Sequence, residues 1–363
     1  FKNMHRNVIF RNSNVITRPI TTYQTGTYNF PKLWTGLRKE CIEDMVGCDV
    51  LSIPHNPNLS GGMMFPNPRN SEEAENRLFF EPVVELTQHK GASECRFDRL
   101  LQAGVDTLDE LCDFEQVKAD NLAMLGSVNG ELQTERAAAV PLDQFARRNM
   151  VRNVLKDGLA LQQAGGVNPF KMGFIGATDT HSATPGGAEE DNYPGHLGRR
   201  DSGYRNVQDH FFSNPGGHGV VWAEENSRDS IFEAIRRKET YATSGTRPIV
   251  RFFAGWEYPQ DLCESADRVA LAYAGGVPMG GDLNAAAEGA EPKFLVSAIK
   301  DAGIPGNPGT DLQRIQIIKG WVDADGKTHE KVYEVSGTPD NDAGVDPNSC
   351  DRVGIGHASL CTV

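Results

Sequence analysis

Apolar and polar positions follow two rhythms along this chain. From Pro31, apolar residues fall at Leu33, Trp34, Leu37, Cys41, Ile42 and Met45, the spacing of one helix face with a proline in its first turn. A short β-rich run at 7–10 precedes it. The continuous apolar run at 50–54 follows, as expected of a strand buried on both faces. Residues 71–80 predict a second helix, with Ser71 as its cap and acidic residues in its first turn. A strand is predicted at 83–87, a long helix at 143–164 stopped by Gly165-Gly166, and a strand at 172–178. Helix then strand, three times over, predicts an α/β fold with a parallel sheet. Residues 182–219 have no period and are rich in Gly, Asn, Pro and Asp, and a loop that long in a compact domain usually serves function. Ser227 then caps a helix with Ile231, Phe232, Ala234 and Ile235 on its apolar side.

After Arg247 the texture changes. Short strands are predicted at 249–253, 268–273, 294–299, 315–321 and 331–335, with Asp325-Gly326 as a hairpin turn. The expected division is therefore 1–247 and an all-β region at 248–363. With 363 residues there is enough chain for two domains, or for one large barrel with an appendage. No apolar run approaches the ~18–20 residues of a membrane-spanning helix, so no membrane association is expected. The net charge of −13 argues against a nucleic-acid partner, which calls for a basic footprint. It does not exclude an anionic substrate, because a bound divalent metal reverses the local field. Nothing in the pattern sets an oligomeric state. Seven cysteines include no C-x-x-C pair. Cys95 with Cys112, or Cys350 with Cys361, could close short loops, and the odd count leaves a free thiol. Such pairing would fit a periplasmic or secreted protein; buried free cysteines would fit a cytoplasmic one.

The chemistry gathers in a few segments. Asp179 and His181 close the apolar strand at 172–178, and residues two apart leave a strand on one face, where a carboxylate and an imidazole can share a divalent metal. His55 follows the buried strand at 50–54 and opens a loop rich in Asn and Gly. His5 and Arg6 precede the first strand. After the strand at 83–87, a polar cluster from Glu85 to Glu94 includes Gln88, His89, Lys90 and Ser93. Lys90 is expected to face the site, pairing with Glu94 when no substrate is bound, and His89 to point away.

The segments HRNVIF, IPHNPNLSGGMMF, EPVVELTQHKGASECR, GFIGATDTHSATPGGAEEDN and WAEENSRDSIFEAIRRKETYATSGTRP resemble domain-of-unknown-function family 3604 (DUF3604) over essentially the whole chain. That family is similar to the polymerase-and-histidinol-phosphatase (PHP) metal-dependent hydrolases. The resemblance implies a distorted (β/α)7 PHP-like barrel, its N-terminal part missing, within 1–247. It implies two or three divalent ions, Zn, Mn or Fe, with His5, His55, Asp179 and His181 as metal ligands. The family's opening H-x-H pair and bridging Glu have no counterpart, so the chain reads as a piece of a longer protein and is expected to be poorly active alone. The implied reaction is hydrolysis of a phosphoester or related anionic ester by a metal-activated water, with Lys90, Glu94 and Arg6 as catalytic groups. Arg199 or Arg200 could add contacts to the anion. The alternative is a non-catalytic binding module with a structural metal.

Overall fold

The computed structural model describes residues 3–26, 29–121, 140–181, 183, 216–286, 289–340 and 344–363. Most of the loop predicted at 182–219, with Arg199 and Arg200, lies outside the described residues. The described residues form two compact units. The first takes those within Phe1–Ala188, Tyr193–Ser244 and Gly320–Glu330, and the second those within Gly245–Lys319 and Lys331–Val363.

In the first unit, the strand Arg6–Phe10 runs antiparallel to the wholly buried Val50–Pro54, with Arg6 opposite Pro54. The strand Val83–Gln88 runs parallel to Gly173–Gly176, with a step in register between Glu85 and Thr87. His218–Val221 pairs antiparallel with Thr240–Thr243, and the Thr240 hydroxyl donates to the Phe174 carbonyl at 2.6 Å. The neighbours Val83 and Val84 are both fully buried because a strand covered on both faces puts alternate side chains into different cores. Val83 packs with Leu51, Ile53, Phe232 and Ile235, under the helix Arg228–Arg236. Val84 packs with Met64, Val151, Val154 and Phe170, under the helix Val151–Gln163. A third core joins Trp34 and Leu37 of the helix Phe30–Leu37, Cys41 of the π-helical turn that continues it, Val50, and Phe80 of the helix Ser71–Phe80.

This is a mixed α/β arrangement, and the expected (β/α)7 PHP-like barrel does not form. A parallel barrel requires every strand to run the same way and the sheet to close on itself. Here the first two strands are antiparallel, and one parallel pair stands among several small antiparallel sheets in the described residues. Two boundaries also differ. The long helix starts at Val151, not at 143, because Arg147–Asn149 is a separate tight turn. The wholly buried Asn149 accepts there from the Ser60 hydroxyl and the Gly62 N–H and donates to the Asn58 carbonyl. The cap of the Ser71–Phe80 helix is Asn70, whose side chain accepts from the Glu73 N–H at 2.9 Å, not Ser71.

In the second unit, a four-stranded antiparallel sheet runs in the order Gly276–Pro278, Ile249–Gly255, Lys293–Ile299, Ser359–Thr362. Arg268–Gly275 is a helix where a strand was predicted. Its alanines favour a helix, and Ala272 and Val269 pack on Phe253, Leu262 and Leu295. Cys361 pairs with Cys263, not with Cys350, which is free and exposed; Cys95–Cys112 and Cys41–Cys48 also pair. No helix among the described residues is long and apolar enough to cross a membrane.

Candidate functional site

Three strands of the first unit deliver their ends to one place. Antiparallel register brings His5 opposite His55: the His55 N–H donates to the His5 carbonyl at 3.1 Å, and the two rings stack 6.1 Å apart. Val83–Gln88 contributes Glu85 from within the strand, and His89 and Lys90 from the turn beyond it. The register step at Glu85 belongs here, since an extra residue in a strand re-aims the side chains around it. The segment after Gly173–Gly176 contributes Asp179 and His181.

His55 is buried and its Nδ1 lies 2.9 Å from both Glu85 oxygens. The carboxylate only accepts, so Nδ1 carries the proton and the neutral ring keeps its lone pair at Nε2. Glu85 also accepts from the Asn56 N–H at 3.1 Å. His55 Nε2 lies 3.5 Å from Asp179 Oδ1, so two lone-pair carriers face each other; the Asn56 amide nitrogen approaches Nε2 at 3.5 Å as well. On the other side, Asp179 Oδ2 faces His89 Nε2 at 3.2 Å and holds the Lys90 ammonium, which also sits 2.8 Å from His89 Nε2. The His181 Nδ1–H donates to the Asp179 carbonyl at 2.7 Å, which leaves its Nε2 as an acceptor. One donor atom each from His89, Asp179 and His181 lie within 4.8 Å of one another.

The charges agree with this geometry. Burial opposes ionisation of Asp179, but the hydrogen bonding and positive charge around it, the Lys90 ammonium above all, hold it well below the usual carboxylate range. Burial would lower His55, yet the hydrogen bond and charge of Glu85, with Asp179 beyond, raise it. Partial burial and the neighbouring His55 lower His5. Two backbones at the site are left-handed, Asn56 at φ 60° and Asp179 at φ 53°, a conformation that Asn and Asp tolerate better than most side chains.

These residues fit a divalent ion. Imidazole nitrogens and a carboxylate form the mixed donor set suited to Zn, Mn or Fe. His55 Nε2 and Asp179 Oδ1 face each other as a cation between them would require. Lys90 already places a positive charge on two of the donors.

The model of the family described as "Protein of unknown function (DUF3604)" matches residues 1–362. The chain belongs to the DUF3604 family. No curated protein and no solved structure matches it.

Of the residues that sequence singles out in this DUF3604 chain, His5, His55, Lys90, Asp179 and His181 come together, and Arg6 and Glu94 do not. Arg6 donates to the buried Glu81 at 2.5 Å and to the Met4 and Met64 carbonyls, with its guanidinium over the Phe30 ring. It lies on the opposite side of the chain from His5, as adjacent residues in extended backbone do. Glu94 is bound by Arg152 at 2.6 and 2.9 Å, so Lys90 pairs with Asp179 instead. Asp179 and His181 do not leave a strand together: the strand ends at Gly176, and it is the turn around Asp179 that brings them close.

Sequence reasoning misses two residues. It turns His89 away because its neighbour Lys90 points in. The strand ends at Gln88 and the chain reverses to Gly91, at φ 96°, so both can face Asp179. Glu85 stands out in the sequence only as part of a polar cluster. It is the one charged residue of a buried strand, and such a charge needs a partner, which His55 supplies.

Proposed function

We propose that this chain is a metal-dependent hydrolase acting on a small anionic ester, a phosphoester first. The observation that carries the reading is Asp179 with one oxygen toward His55 and the other toward His89, His181 beside it and a lysine at the rim. The choice of hydrolysis leans on the resemblance to the PHP hydrolases. A divalent ion held by these donors would supply an acidified water and shield the anionic oxygens of the substrate. Glu85 fixes the tautomer of His55, and the Asp179 carbonyl fixes that of His181, so that both present Nε2. Lys90 is free to turn from Asp179 to a substrate oxygen. The exposure of His181 favours an open, catalytic position over the closed shell of a structural metal. Three disulfides favour a periplasmic or secreted location.

The test is release of nitrophenol from para-nitrophenyl phosphate with Zn, Mn or Fe(II) supplied. Wild type should turn over only with metal, and Asp179→Asn should lose both metal and turnover. Lys90→Ala should keep its metal and lose roughly ten- to a thousand-fold in turnover, the range for one positioned electrostatic group. Tight metal binding with no hydrolysis of this or a panel of other phosphate and carboxylate esters would leave the binding-module reading in its place.

A further inference from the structure

One concavity in the first unit shares no residue with the histidine–aspartate cluster. Its volume is about 290 Å³, at the small end of ligand sites, and Phe30, Trp34, Pro31, Pro66 and Pro68 give it largely apolar walls, with Arg77 among them. Arg77 is buried, and both of its hydrogen bonds leave from Nη1, to Glu81 Oε2 at 3.0 Å and to the Met64 carbonyl at 3.4 Å. A guanidinium carries five N–H groups, and among the described residues those on Nε and Nη2 make no hydrogen bond.

The charge balance points the same way. Glu81 is shared by Arg6 at 2.5 Å and Arg77 at 3.0 Å, so two buried guanidiniums face one carboxylate and the triad carries one net positive charge. Glu73, the acid that lines the pocket, is held by Arg69. The rings of Phe30, Trp34, Phe65 and Phe170, 5.0–5.6 Å from the guanidinium carbon of Arg77, offer π faces but no acceptor oxygen. Burial, with Arg6 adding to it against the pull of Glu81, brings Arg77 down to about 10.

We propose that this pocket binds a small organic monoanion, a compact carboxylate with a flat apolar body, whose carboxylate takes the open N–H groups of Arg77. One negative charge matches the one net positive charge of the triad. The apolar walls match the body.

Benzoate and its neutral counterpart benzamide test this by calorimetry on the whole protein. Benzoate should bind saturably in the millimolar range expected for about nine non-hydrogen atoms, and benzamide at least about ten-fold more weakly. Arg77→Lys keeps the charge and removes the planar fork of N–H groups; it should weaken benzoate at least about three- to ten-fold. Arg77→Met should abolish binding. Should that variant fail to fold, the benzamide and Arg77→Lys comparisons decide. No saturable benzoate binding, equal binding of benzamide, or unchanged binding to Arg77→Lys overturns the proposal.

Discussion

Glu81 and Glu115 show how differently two carboxylates in one unit can behave. Glu81 is fully buried between Arg6 and Arg77, and removing its charge leaves two guanidiniums unopposed. Glu81→Gln should therefore cost about 3–5 kcal/mol in chemical denaturation, the usual penalty for breaking a buried ion pair from one side. Arg6 belongs to this triad, which is why a residue adjacent to His5 in sequence takes no part in its chemistry. Glu115 has no ion-pair partner among the described residues, its Oε2 is buried without a hydrogen bond, and burial pushes it up to about 7. The folded state then holds a proton that the unfolded state gives up near 4.5. Stability should fall as pH rises from about 4.5 to about 7, by roughly 1–2 kcal/mol once screening of a partly exposed group is counted. Glu115→Gln should flatten that part of the stability–pH curve; an unchanged slope would show that the carboxyl ionises freely in the fold.

At the level of elements, what could be read in advance was whatever depends on local pattern. The helix face at Trp34, Leu37 and Cys41, the buried runs at 50–54 and 83–87 and the Ser227 cap all follow from spacing alone, and each has its counterpart in the structure. Strand direction does not follow from spacing. The antiparallel pairing of Arg6–Phe10 with Val50–Pro54 is set by non-local contacts, and the barrel expectation failed there first. The site was partly legible for a related reason. Histidines and acids that end buried strands stand out, whereas His89 depends on where a strand stops and turns. Close strand packing makes its own prediction. A Cβ on Gly217 would sit 1.8 Å from the Thr243 carbonyl oxygen, so the backbone of this segment passes too near for any side chain. Gly217→Ala should destabilise by about 2–3 kcal/mol, the cost of overpacking, read as a lower midpoint of urea unfolding.

For the molecule as a whole, the cysteines offer a simple check. Three disulfides leave Cys350 as the one free thiol among seven cysteines. Native protein purified under oxidising conditions should take up one equivalent of alkylating reagent, at Cys350, and Cys95→Ala with Cys112→Ala should lose about 2–4 kcal/mol of stability for a loop of 17 residues. The proposed divalent ion would be held where His55, His89, Asp179 and His181 converge. Calorimetric titration of metal-stripped protein with Zn²⁺ or Mn²⁺ tests it most directly, comparing wild type with His89→Ala and Asp179→Asn. Saturable binding to wild type should weaken at least about ten-fold in His89→Ala and be lost in Asp179→Asn, with both variants folded. Binding that is equal in all three proteins, or absent from wild type, would contradict the proposal.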